Sequence, residues 1–119
     1  MRYMLLIYGD ETAGADMSPE EQEARMGEWF QYTEDLQGSG AMQAGDALQP
    51  TATATTVSRG GDGNTLVTDG PFAETREQLG GYYLLDCADI EEAITWAAKI
   101  PGAWMGRIVV QPCIDFGEG

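Results

Sequence analysis

The segment Asp69-Gly70-Pro71-Phe72-Ala73-Glu74-Thr75-Arg76-Glu77-Gln78 gathers a carboxylate, a tight turn and a cation within ten residues. In Asp69-Gly70-Pro71-Phe72 the proline fixes φ and removes a donor, while the glycine tolerates positive φ. The Asp69 side chain can accept from backbone N–H groups two and three residues ahead, which makes a self-satisfied turn and nothing more. The polar run Glu74-Thr75-Arg76-Glu77-Gln78 that follows points further, because loops carry binding groups out of proportion to their length. Arg76 pairs structurally with Asp69 or Glu74, or it clamps a ligand carboxylate or phosphate. A second polar cluster, Tyr8-Gly9-Asp10-Glu11, ends an apolar run and is either a solvated loop or the wall of a cavity. The candidate ligand-binding residues are therefore Tyr8, Asp10, Asp69, Gly70, Phe72, Glu74 and Arg76. Asp69 is the one candidate catalytic residue, as a general base if burial raises its pKa.

The chain contains no histidine. That removes Ser-His-Asp and Cys-His chemistry, histidine-ligated metals and the usual neutral-pH base. Cys87 and Cys113 are too few and too far apart for a metal knuckle, and reduced core thiols are expected. Asp10, Glu11, Asp69 and Glu74 lack the spacing of a calcium loop. Gly60-Gly61-Asp62-Gly63 lacks the following helix and Lys-Ser/Thr of a phosphate cradle, so it reads as a hairpin turn. Neither a metal nor a cofactor is expected, and the residues leave open whether the chain is an enzyme.

Elements that could position these groups follow from periodicity and punctuation. Residues 2–8 form a continuous apolar run, the pattern of a central strand. Ser18-Pro19-Glu20-Glu21 starts a helix, with Ser18 as cap and Glu21 completing a capping box. Met26, Phe30, Thr33 and Leu36 follow at helical spacing, Trp29 widens that face, and Arg25 and Glu28 are expected outside; Gly38 and Gly40 end the helix. Met42, Ala44 and Leu48 alternate in a short strand closed by Pro50. The β-branched stretch 53–59 and residues 65–69 flank the Gly60–Asn64 turn as a hairpin. Residues 81–87 form a strand, and Asp89 with Glu92 caps a second helix whose apolar face is Ile90, Ala93, Ile94, Ala97 and Ile100. Pro101-Gly102 stops that helix, and 107–113 is the last strand. Tyr82, Tyr83, Trp29, Trp96 and Trp104 are expected in core and interface positions.

The resulting order is β-α-β, a hairpin, then β-α-β. It predicts a ferredoxin-like α+β fold: an antiparallel sheet with two helices on one face and an added β-hairpin. The first strand then lies between strands 81–87 and 107–113, which separates the two cysteines. The uncovered sheet face needs a partner, most simply a two-fold homodimer.

With 119 residues and 43% apolar content, the chain is expected to form one domain over 1–116 with a frayed tail at 117–119. Its formal charge of −14 repels phosphate backbones and anionic lipid, so nucleic acid and membrane are not expected partners. No apolar run reaches the length of a bilayer span, and the N-terminal run lacks a cleavage signal, so a cytoplasmic protein is expected.

Met1-Arg2-Tyr3-Met4-Leu5-Leu6-Ile7-Tyr8-Gly9, Ala52-Thr53-Ala54-Thr55-Thr56-Val57, the run from Val67 through Asp69-Gly70-Pro71-Phe72 to Leu84, and Trp96-Ala97-Ala98-Lys99-Ile100-Pro101 together resemble the DGPF-domain, YCII-related proteins. The resemblance covers residues 1 to about 116. It implies a dimeric α+β barrel in which two ferredoxin-like sheets close on each other. It also implies an accessory or regulatory role, since many members are encoded beside extracytoplasmic-function sigma factors; a sigma factor or another protein is then a possible partner. The wider group resembles small-ring-compound enzymes with a His-Asp pair in a cleft. Only the aspartate half carries over here, as Asp69, and a cofactor-free lyase or isomerase is the corresponding activity. Gly106-Arg107-Ile108-Val109-Val110-Gln111-Pro112 stands where relatives tend to have Gly-x-Val-Glu-Val-Arg-Pro, which leaves Arg76 and Arg107 as cations for an anionic ligand.

Overall fold

The computed structural model describes residues 1–101 and 106–117. Gly102, Trp104, Glu118 and Gly119, all named in the expectations above, lie outside them. Strand β1 (Arg2–Gly9) is followed by helix α1 (Pro19–Ser39), β2 (Met42–Ala47), a 3-10 turn (Thr51–Thr53), β3 (Thr55–Arg59), β4 (Thr65–Asp69), β5 (Gln78–Asp86), α2 (Ile90–Ala98) and β6 (Arg107–Pro112). The main sheet has the order β2-β5-β1-β6 with every pair antiparallel, and β3-β4 form a separate two-stranded sheet. This is the ferredoxin-like α+β arrangement with an added hairpin.

Alternation along the strands sorts the side chains onto two faces. Tyr3 and Leu5 from β1, with Tyr83 and Leu85 from β5, are buried against Tyr32 and Leu36 of α1 and Ala93, Ala97 and Ile100 at α2. Both helices therefore cover one face. The other carries Met4, Leu6, Tyr8, Ala44, Asp46, Tyr82, Leu84, Arg107 and Val109, and among the described residues neither helix lies over it. Gly81 explains half of the double glycine before Tyr82: a Cβ there would come 2.9 Å from the Asp46 carbonyl oxygen, so only glycine lets β2 approach β5.

Both N-caps are as the sequence implies, although the Glu21 carboxylate does not return the bond that would complete its capping box. Ser18 Oγ accepts from Glu21 N at 3.2 Å, and Asp89 Oδ1 accepts from Glu92 N at 3.0 Å. The Glu92 carboxylate reaches back to Ala88 N, one residue before the cap. The helix faces need correction. On α1 the inward stripe is Arg25, Trp29, Tyr32, Thr33 and Leu36, whereas Met26 and Phe30 are exposed. Almost nothing in the first half of α1 is buried, so that half overhangs the packed core. Arg25, expected outside, is half-buried. On α2, Ile90 and Ile94 are likewise exposed, and Trp96 packs on the core in their place. Tyr32 is the core residue the spacing did not reveal: it donates to the Trp96 carbonyl at 2.9 Å and meets Tyr83 and Trp96 edge-on.

Element boundaries also shift. β5 begins at Gln78 and not at Gly81, and residues 51–53 form the 3-10 turn in front of β3. Cys87 and Cys113 are free and follow β5 and β6, the two strands that flank β1. Among the described residues no helix is long and apolar enough to cross a membrane.

Candidate functional site

The end of β1 is where polar groups converge. Tyr8 lies opposite Leu79 of β5 and Arg107 of β6, and Gly9 lies opposite Gln78. The register shift between Ile7 and Tyr8 leaves Gly80 of β5 unpaired as a bulge, while β1 keeps its regular ladder with β6 through Tyr8. The next residue, Asp10, closes a turn by accepting from Thr12 Oγ1 at 2.6 Å and Thr12 N at 2.9 Å. Those two bonds hold its carboxyl below the usual carboxylate range, and the Arg76 guanidinium adds to the effect. Arg76 therefore stands within electrostatic reach of Asp10. It makes no ion pair with Asp69 or Glu74 among the described residues, the two partners the sequence offered it. Arg107 Nε lies 3.7 Å from Glu77 Oε1, a long contact on a side chain 81% exposed, so the pair leaves the guanidinium available.

Glu11 ties this corner to the hairpin. Its carboxylate accepts from Thr51 Oγ1 at 2.7 Å and Thr51 N at 3.1 Å, while its own N–H donates to Gln78 Oε1 at 3.0 Å.

The remaining candidates are placed apart. Asp69 ends β4 opposite Thr55, is exposed, and makes no hydrogen bond or ion pair through its carboxylate among the described residues. The expected self-capping turn is absent. Gly70, at φ +92°, is held instead by the partner strand: its N–H donates to the Ala54 carbonyl at 2.7 Å and its carbonyl accepts from Thr56 Oγ1 at 2.8 Å. That conformation is one glycine adopts freely. Phe72 is 92% exposed, and Glu74 is exposed too. The structure thus brings Tyr8, Asp10 and Arg107 to the end of β1, sets Arg76 within electrostatic reach of Asp10, and leaves Asp69, Gly70, Phe72 and Glu74 around the hairpin root.

Two groups were missed from the sequence. Glu77 joins the corner through Arg107. On the open sheet face, Tyr82 Oη donates to Asp46 Oδ2 at 2.7 Å, and that bond together with the Asp46 charge raises the phenol pKa. Strand alternation signals each side chain's face, but only the β2–β5 register reveals their meeting. Two concavities lie elsewhere: one of about 440 Å³ between Tyr32, Asp35, Trp96 and Lys99, and one of about 340 Å³ beside Arg2, Asp86 and Cys113. No group of three or more metal-ligating side chains is clustered among the described residues.

Comparison with known proteins gives two results. The family model of the YCII-related domain matches residues 1–117. A protein of Rhizobium meliloti (strain 1021), itself named only as uncharacterized, is 40% identical over 103 residues, which is 87% of this chain and 82% of that protein.

Proposed function

The chain belongs to the YCII-related domain family, and from that premise we propose that it is a homodimeric protein that binds a small anionic ligand at the end of β1. One observation carries the reading. In a chain of charge −14 with only six Lys and Arg, Arg107 stands directly opposite Tyr8 at the end of β1, and Arg76 is within electrostatic reach of Asp10 just beyond that strand. Guanidinium groups recognise carboxylates and phosphates through paired hydrogen bonds, and the Tyr8 phenol adds a donor. The corner opens onto the uncovered sheet face, where Met4, Leu6, Leu84 and Val109 supply an apolar floor. A second copy laid over that face would cover the apolar strip and close the open side of the corner. Binding is favoured over lyase or isomerase chemistry because a general base needs burial to raise its pKa, and Asp69 is exposed. The two free thiols agree with a reducing compartment, the cytoplasm.

A second reading, an accessory module contacting a protein such as a sigma factor, is favoured by Met26 and Phe30. They lie four residues apart on the overhang of α1, both exposed, as a protein-contact patch would be.

Thermal-shift measurements against small mono- and dicarboxylates and phosphate esters test the ligand. A stabilising hit should weaken by about 10- to 100-fold in Kd for Arg107→Ala, as expected for loss of a charged hydrogen bond. It should weaken for Arg76→Ala and persist for Asp69→Asn. A hit that survives Arg107→Ala but is lost in Asp69→Asn would move the site to the hairpin root.

A further inference from the structure

Residues 51–77 leave the main sheet as an arm, and its two strands pair only with each other. Val57 and Val67 face one another across the ladder and are 63% and 61% exposed, and Phe72 extends from the root almost wholly into solvent. A lone two-stranded hairpin is marginal in water, and apolar side chains gathered on such an element mark a contact surface.

The arm is nevertheless fastened at both ends to one residue. The Glu11 carboxylate holds Thr51, where the arm begins, and the Glu11 N–H holds Gln78, where it ends. The Gln78 amide also donates to the Thr75 carbonyl, which extends the hold into the returning loop. Such a fastening sets the direction of the arm without burying any of it.

Charge narrows the choice of occupant. The ladder residues 55–59 and 65–69, which carry Val57 and Val67, contain one cation, Arg59, and one anion, Asp69, while the turn and returning loop add Asp62, Glu74 and Glu77 against Arg76. The open face of the main sheet has Arg2 and Arg107 against Asp46 and Asp86. The acidic excess lies elsewhere, most visibly on α1, with six carboxylates against Arg25. Two molecules of −14 repel least where the surfaces that meet are neutral, as the hairpin ladder and the open face are. A basic partner would be drawn to the helices and not to the arm.

We propose that residues 51–77 form an intersubunit arm that packs on a second copy of this chain, with Glu11 as the positioning residue that fixes its direction. The inference rests on the homodimer reading above and adds the element that grips the partner. Size-exclusion chromatography with light scattering, paired with hydrogen exchange, tests it. The wild-type chain is expected to be a dimer. Val67→Asp and Phe72→Ser, both at positions exposed in the subunit, should raise the dimer dissociation constant at least about tenfold while exchange in β1 and β5 stays unchanged. Glu11→Gln and Thr51→Val should speed exchange of amides 54–70 and weaken the dimer; unchanged arm exchange in both would overturn the role of Glu11. A monomeric wild type would overturn the arm and the homodimer together. A dimer that withstands Val67→Asp and Phe72→Ser but is split by Leu6→Asp on the open face would overturn the arm alone.

Discussion

Asp10 and Asp46 are both exposed carboxylates at the margin of one sheet, and each accepts hydrogen bonds from a neighbour. Asp10 accepts two bonds from Thr12 and is held low. A depressed carboxyl stabilises the fold above its unfolded value of 3.8, and that contribution is lost as pH falls through the folded value. Carbon-detected NMR titration should therefore find the Asp10 carboxyl below 3.8, and Thr12→Val should bring it back up; an unmoved titration would show that Thr12 is not the cause. Asp46 instead acts on its partner, raising the Tyr82 phenol. The sequence pointed to Tyr8, Asp10 and Arg76 because they flank strands recognisable from their apolar runs. It could not point to Asp46 with Tyr82, since that pairing depends on a register that shifts between Met42 and Ala44. It also favoured Asp69 as self-capped, whereas the Gly70 N–H and carbonyl are taken up by β3 and its approach, and the carboxylate is left to solvent.

Among the elements, α1 shows where sequence periodicity holds and where it fails. Ser18 and Gly40 mark its ends correctly, because caps are local chemistry. Its inward face differs from the apolar spacing because the buried stripe runs through Trp29, Tyr32 and Leu36, about a quarter turn round the helix from Met26 and Phe30. A direct contrast follows. Leu36→Ala, at a fully buried position, should cost about 2–5 kcal/mol in urea unfolding. Phe30→Ala should change subunit stability by no more than about 0.5 kcal/mol. Equal losses would mean that the overhang is packed after all. The hairpin was legible for a different reason: Asp62 Oδ1 accepts from Asn64 N at 2.9 Å and Gly63 takes φ +84°, so the turn chemistry is written in the residues themselves. Its isolation from the main sheet was not, because no local signal says which strand a hairpin will pair with.

At the scale of the molecule, the subunit is a plate of 49 × 47 × 18 Å with a radius of gyration of 16.7 Å. A compact chain of this length would have roughly 13 to 14 Å. The hairpin arm and a main sheet covered by helices on one face only agree with that excess. The core is small, and two titrating groups in it, with one on the open face, are shifted upward. Burial raises the Tyr32 phenol and the Cys87 thiol, and Asp46 raises Tyr82. Groups raised above their unfolded values, 9.0 for the thiol and 10.0 for the phenols, support the fold fully below that range and lose their contribution as pH rises through the folded values. Calorimetry should accordingly show Tm falling from pH 8 to pH 11, with a smaller fall in Tyr32→Phe; a flat profile would contradict the shared shift. The anion site is the central claim, and amide NMR titration with the strongest carboxylate or phosphate hit tests it most directly. Shift changes confined to Tyr8, Asp10, Arg76–Gln78 and Arg107 are the predicted result. Changes centred on Trp96 and Lys99 in the helix-side concavity, or on Asp69 at the hairpin root, would contradict it.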